Sequence, residues 1–200
     1  MADGIDSTLH FWFGPLTTDG VSAEDRLGLW FGKSDDQDAT IREQFGPQVE
    51  QALAGELDNW AATKAGRMAL VLTLDQFTRN IHRGTPRAFA GDSRALQHAL
   101  HALDQGEDAG MPLIHRVFLY LPLEHAEDLA IQERCVRCFQ ALESQAPEAA
   151  REMFRSFTDY AEQHRDVIRR FGRFPHRNGI LGRESTPDER AYLAQPGAGF

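Results

Sequence analysis

Pro147-Glu-Ala-Ala-Arg-Glu-Met-Phe-Arg-Ser-Phe-Thr-Asp-Tyr-Ala-Glu-Gln-His-Arg-Asp-Val-Ile-Arg-Arg-Phe171 decides the fold class. Ala150, Phe154, Phe157, Ala161, His164, Ile168 and Phe171 recur at alternating steps of four and three, so a helix stacks them along one stripe. Ile41, Phe45, Val49 and Leu53 repeat every four residues in the same manner. No run alternates apolar and polar residues between turn signals, as a half-buried strand would. Pro86, Pro122, Pro147 and Pro187 each open a stretch of helical period, where a missing N–H is tolerated. Thr186-Pro187-Asp188-Glu189 is a capping box, in which threonine hydroxyl and glutamate satisfy each other's free backbone donors.

These signals predict an all-α chain of about nine helices, near residues 4–13, 22–31, 36–45, 47–60, 65–82, 86–105, 112–120, 122–144, 147–170 and 187–194. Short joints at Gly32, Gly84, Gly106 and Gly110 imply antiparallel hairpins. Residues 1–194 read as one domain, and residues 195–200 as a loose, glycine-rich tail whose terminal Phe200 is able to dock.

A chain of 200 residues can bury roughly 70% of its unfolded surface, so it needs neither disulfide nor metal to fold. Its longest apolar runs fall short of the ~20 residues that cross a bilayer, which argues against a membrane partner. The opening Met-Ala-Asp-Gly-Ile-Asp has acids where a secretory signal has bases, so a cytoplasmic location is expected. A formal net charge of -9 argues against nucleic acid, whose phosphates most of the surface would repel. The charge is uneven: Arg165, Arg169, Arg170, Arg173, Arg177 and Arg183 stand near one acid, Asp166, a local basic surface suited to a small anion or an acidic partner face. Cys135 and Cys138 form a C-x-x-C, but they lie several turns inside a predicted helix, whereas redox pairs gain reactivity at a helix N-terminus. Trp12, Trp30 and Trp60, with Phe11, Phe13, Phe31 and Phe45, read as an N-terminal core. His10, His82, His98, His101 and His115 receive no role; the last four read as helix-surface residues.

Three segments carry polar groups where packing expects apolar ones. Leu70 to Gly84 is apolar nearly all round until Asp75, which sits one turn from Arg79; Gln76, Asn80 and Arg83 follow on a neighbouring stripe. In Tyr120-Leu-Pro-Leu-Glu-His-Ala-Glu-Asp128, a helix opening at Pro122 would place Glu124 and Asp128 in line with Ile131, Cys135 and Leu142, and His125 in line with Leu129, Gln132 and Phe139. His164 stands inside the stripe quoted first, and the turn Phe171-Gly-Arg-Phe-Pro-His-Arg-Asn178 follows it. Burying such groups costs several kcal/mol unless they are paired or meet a ligand.

The phrases LDQFTRNIHRGTPRAFAGD (Leu74–Asp92), YLPLEHAEDLA (Tyr120–Ala130) and RFGRFPHRNGILGRESTPDE (Arg170–Glu189), with FWFG (Phe11–Gly14), resemble the bacterial family catalogued as domain of unknown function 924. The resemblance implies an all-helical, tetratricopeptide-like superhelical fold and no agreed activity or cofactor. Its pattern has proline where this chain has Thr78, and commonly serine where it has Ala126. The recurrent polar positions it carries over are Asp75, Gln76, Arg79, Asn80, Arg83, Asp92, Glu124, His125, Asp128, Gln132, His164, Arg173, His176, Arg177, Asn178 and Arg183.

The leading expectation is one polar pocket for a small anionic metabolite. Its ligand-binding residues would be Asp75, Gln76, Arg79, Asn80, Arg83, Asp128, Arg173, His176, Arg177 and Asn178, with the arginines as an anion clamp. Glu124, His125 and His164 are the catalytic candidates, since a carboxylate beside an imidazole in a dry pocket can be tuned towards neutral pH. A second expectation is a helical-repeat scaffold for a protein partner. A third is a metal-dependent hydrolase using Glu124, His125, Asp128, His164 and His176, but H-E-x-x-H and paired E-x-x-H motifs are missing and no metal ligand is assigned. A fourth expectation is a purely structural network, in which such groups pair with one another to fix helix register and hold no ligand.

Overall fold

The structure, a computed structural model, describes residues 2–199; Phe200 and the docking expected of it lie outside the described residues. Among the described residues there are nine helices and no strand, only an isolated bridge between Leu16 and Ser22. The helices are α1 (Ala2–Phe13), α2 (Leu27–Phe31), α3 (Asp35–Ala54), α4 (residues 64–81), α5 (Asp92–Asp104), α6 (Leu113–Glu124), α7 (Leu129–Glu143), α8 (Arg151–Phe171) and α9 (Pro187–Leu193). None is long and apolar enough to cross a membrane.

Two helices form the middle. In α4 every residue from Gly66 to Thr78 is buried, and in α6 every residue from Arg116 to Glu124. α4 packs against α1, α3, α5 and α6, and α6 against α5, α7 and α8. A surface helix needs one apolar stripe, whereas a central one must be apolar all round, which is what the Leu70–Asp75 run encodes. Trp12, Phe13, Phe45, Phe77 and Phe118 interlock where α1, α3, α4 and α6 meet, with several ring pairs edge-on near 5.5 Å. Each such fully buried side chain contributes roughly 1.5–3 kcal/mol. Phe31 departs from the expected core: it is half exposed, although its ring touches Phe118 and Phe157. Trp60 packs with Ala52, Leu70 and Leu74 in a separate cluster.

Several helix boundaries differ from the expectation. Gly46-Pro47 does not divide α3: Pro47 lies within one helix of 20 residues, its ring exposed. The carbonyl it frees, on Glu43, faces solvent, and the buried Ile41, Phe45, Val49 and Ala52 hold both halves to the core. Pro86 opens only a 3-10 turn, and α5 begins at Asp92. Pro122 is in the last turn of α6 rather than the first turn of a new helix. The chain breaks after Glu124 and restarts at Asp128, whose side chain accepts from Ile131 N at 3.0 Å as the N-cap of α7. The capping box at Thr186 and Glu189 is present as expected.

Candidate functional site

A local irregularity in α4 brings the first polar group in. Residues Thr73–Phe77 form a π-helical turn closed by Thr78 N on Thr73 O, and the Thr78 hydroxyl also donates to that oxygen, at 2.9 Å. The wider turn carries Asp75 and Gln76; such turns recur at functional sites. Asp75 is wholly buried. Its carboxylate accepts from His125 Nδ1 at 2.7 Å and from Gln76 Nε2, and Arg79 Nη2 lies 3.5 Å away. Burial alone would raise its pKa, but His125, Arg79 and Gln76 outweigh it and hold the carboxylate ionised well below its ordinary range.

Asp92 reaches the same place because α5 starts against the π-turn. The Gly91 Cα is so close to the Leu74 carbonyl that a Cβ there would sit 2.1 Å from its oxygen. From this position Asp92 Oδ1 accepts from Arg79 Nη2 at 2.9 Å, and Oδ2 lies 3.6 Å from Arg177 Nη1. Burial pushes the Asp92 carboxyl upward, the charge of Asp75 adds to this, and the arginines oppose it.

Arg177 comes from the short turn Pro175–Arg177, reached because Gly172 adopts φ 71° and redirects the chain after α8. Its guanidinium stacks on Phe174 at 4.6 Å and on Phe89 at 4.9 Å, and Arg79 lies over Phe89 at 5.3 Å. Arg177 is only 7% exposed. Among the described residues its side chain makes no hydrogen bond, and its Nε is buried and unpaired, as is that of Arg79. Burial, with Arg79 alongside, lowers its pKa to about 10.

The end of α6 supplies the acid–base groups. The break after Glu124 leaves His125 beside it, with Gln132 of α7 donating to the carbonyls of Glu124 and Ala126 at 2.5 and 2.8 Å. Glu124 is buried, which pushes its carboxyl up to about 8, with the charge of Asp75 adding to the shift. His164 Nδ1 donates to Tyr160 O at 2.8 Å and stands 3.3 Å from Glu124 Oε1. Burial takes His164 down to about 3, so at neutral pH this contact joins a neutral acid to a neutral imidazole and is no ion pair. Burial and Arg79 also lower His125. The neutral imidazole donates Nδ1–H to Asp75, which leaves Nε2 as the basic nitrogen. His125 is 17% exposed, so solvent reaches this ring. His176, taken to about 4 by burial and Arg177, lies close enough to feel Arg79 and His125 as well.

Residues 8–197 match the family described as "Bacterial protein of unknown function (DUF924)". The chain belongs to this family. A solved structure of a protein of unknown function from Agrobacterium tumefaciens is 38% identical to this DUF924 chain, with a TM-score of 0.81 over 96% of this chain and 98% of that one. No curated protein matches.

Of the residues singled out in the sequence, Asp75, Gln76, Arg79, Glu124, His125, His164, His176 and Arg177 come together in this DUF924 fold, with Asp92. The others stand apart. Arg83 and Asn80 both turn to Asp38 of α3, Arg83 Nε at 2.5 Å and Asn80 Nδ2 at 2.8 Å, so neither is available to clamp an anion. Arg173 is held by Glu189 at 2.7 and 2.9 Å, and Asn178 by Ser185 and the same glutamate. Asp128 caps α7 and is exposed. Among the described residues no three His, Cys, Asp or Glu side chains converge as a metal site. Burial pushes both Cys135 and Cys138 up, against redox reactivity. Sequence reasoning missed Phe89 and Phe174, the arginine platforms, and Glu127, which binds Phe174 N at 2.8 Å and Arg183 at 2.6 Å. It also misplaced His115, which stacks on Phe13 at 4.0 Å. An open cleft of about 800 Å³, with His10, Glu24, Asp25 and Arg26 among its lining residues, has none of these groups in its wall.

Proposed function

We propose that this chain binds a small oxyanion, a carboxylate or phosphate group of a metabolite, at Arg177 and Arg79, with His125 and Glu124 placed for acid–base turnover. One observation carries the reading: Arg177 is buried, its guanidinium carbon lies over the rings of Phe89 and Phe174, and its side chain makes no hydrogen bond among the described residues. A buried cation whose nearest acceptor, Asp92 Oδ2 at 3.6 Å, is beyond hydrogen-bond reach is costly, and proteins tolerate it where a ligand supplies the missing acceptors. Guanidinium N–H groups point outward in its plane, so an acceptor must come to the edge of Arg177, the geometry that suits bidentate oxyanions. In this reading His125 Nε2 removes a proton and the protonated Glu124 returns one, with Asp75 fixing the imidazole tautomer.

A tetratricopeptide-like superhelix and a cytoplasmic location belong to the same proposal. The first is supported by the series α6, α7 and α8, each packed on the next. The scaffold reading has less behind it: Leu27, Phe31, Leu129, Tyr160 and Leu181, the large apolar side chains left exposed, are scattered over four segments. Thermal-shift titration with phosphate, sulfate and dicarboxylates tests the anion site. Wild type is expected to be stabilised, by roughly 2.7 kcal/mol at a hundredfold excess over Kd, and Arg177→Lys to lose the response while melting cooperatively. No stabilisation by any oxyanion would remove the proposal.

A further inference from the structure

The proposed oxyanion site already contains a carboxylate. Asp92 presents one oxygen to Arg79 at 2.9 Å and the other towards Arg177 at 3.6 Å, the two-pronged bridge that a ligand carboxylate would make. The 3.6 Å arm is too long for a hydrogen bond, so Asp92 meets only part of the demand of Arg177. Resting on the anion reading above, we propose that Asp92 holds the ligand's place in the free site and takes up one proton when an oxyanion binds.

The charges facing Asp92 lead to this. Arg79 and Asp75 come from α4, His125 from the end of α6, and Arg177 from the turn after α8. Two guanidinium ions there face two carboxylates, and both imidazoles nearby are lowered towards neutrality. An oxyanion, whether it carries one negative charge or two, leaves the buried cluster with an excess of negative charge, and a proton on one carboxylate removes one charge of that excess. Asp75 is a poor acceptor, since His125 and Gln76 donate to it and Arg79 adjoins it. Glu124 already holds its proton near neutrality. Asp92 is left: it is 24% exposed, so a proton can reach it from solvent, and burial has already raised its carboxyl. The proton adds to Asp92 Oδ2, the oxygen facing Arg177, and the ligand oxygens replace that contact. Gly91 holds Asp92 in place throughout, because the Leu74 carbonyl leaves no room for any other residue.

Sulfate keeps one charge state between about pH 5 and pH 8, so any pH dependence of its binding belongs to the protein. Calorimetric titration of the full chain with sulfate, in buffers of different ionisation enthalpy, counts protons taken up. Wild type should take up a proton on binding sulfate, approaching one per sulfate at pH values between the free and the ligand-bound pKa of Asp92. Its affinity should rise as pH falls, roughly tenfold for each unit by which binding raises the Asp92 pKa. Asp92→Asn and Asp92→Ser should bind more tightly at the upper end, with little pH dependence and no proton uptake. Sulfate binding by all three with the same slope would assign the proton to His125 or His176 and overturn this inference, leaving the anion site intact. Wild-type binding with no proton uptake would do the same. Failure of all three to bind would overturn both.

Discussion

Glu124 carries a proton that its unfolded counterpart releases. Its carboxyl titrates at about 8 in the folded chain against an ordinary value of 4.5, because burial disfavours the charge and Asp75 repels it. The folded value is the higher one, so unfolding releases the proton between these two values. Stability from this group is therefore full below about 4.5, declines as pH rises to about 8, and is level beyond. Each unit is worth about 1.4 kcal/mol, so even with half the shift relaxed the effect is on the order of 2–3 kcal/mol. Glu124→Gln keeps the shape and removes the titration. Its melting temperature should exceed wild type near the upper value and converge with it near the lower one. A gap that ignores pH would mean that Glu124 is ionised in the native state. Asp75 has the opposite sign: held below its ordinary 3.8, it gives stability above that value that is lost as acid protonates it.

At the scale of elements, the break between α6 and α7 does most to build the site, and the sequence showed its residues but not its direction. A proline followed by Leu-Glu-His reads equally well as a first helical turn or as the last turn of an apolar helix. The deciding cue was Asp128, an N-cap residue just ahead of the apolar period of α7, and it had been read as a site carboxylate. What holds the break open is Gln132. Its side-chain amide donates to the carbonyls of Glu124 and Ala126, with Leu123 O at 3.4 Å, satisfying carbonyls at the end of α6 and in the break that follows. Gln132→Leu fills the same space with no donor and strands buried acceptors. It should cost roughly 2–4 kcal/mol in denaturant unfolding. It should also weaken the oxyanion response, because Glu124 and His125 shift with the carbonyls they carry. A neutral Gln132→Leu would show that water or relaxed backbone replaces the amide. The π-turn in α4 was not legible at all: Thr73 to Thr78 look like any helical run, and only the packed structure shows the residue that widens it.

Over the whole molecule, helical content and the central α4 were legible because burial on all sides leaves a compositional mark, whereas α6 read as cut short ahead of Pro122. Which arginine finds which carboxylate was not, since partners such as Arg83 and Asp38, or Arg183 and Glu127, are 45 and 56 residues apart. Those long-range pairs explain how Arg177 is held. Glu189 on α9 takes Arg173 and Asn178, Asn178 takes Arg183, and Arg183 takes Glu127 ahead of α7. The last helix therefore fastens the turn that carries Arg177 to the segment that carries His125, although it contributes nothing to the site itself. Arg173 lowers Glu189 to about 2, so this fastening persists on acidification well past the ordinary value of 4.5. Glu189→Ala removes acceptors for Arg173, Asn178 and Thr186 N together. Hydrogen exchange should then quicken at the amides of Arg177, Asn178 and Arg183, which bond within this turn. The amides of α4 should remain as protected as in wild type, because their burial does not depend on α9. Sulfate affinity should fall in the same variant. Faster exchange spread evenly over α4 as well would show that α9 supports the fold in general, and that Arg177 is held by Phe89 and Phe174 alone.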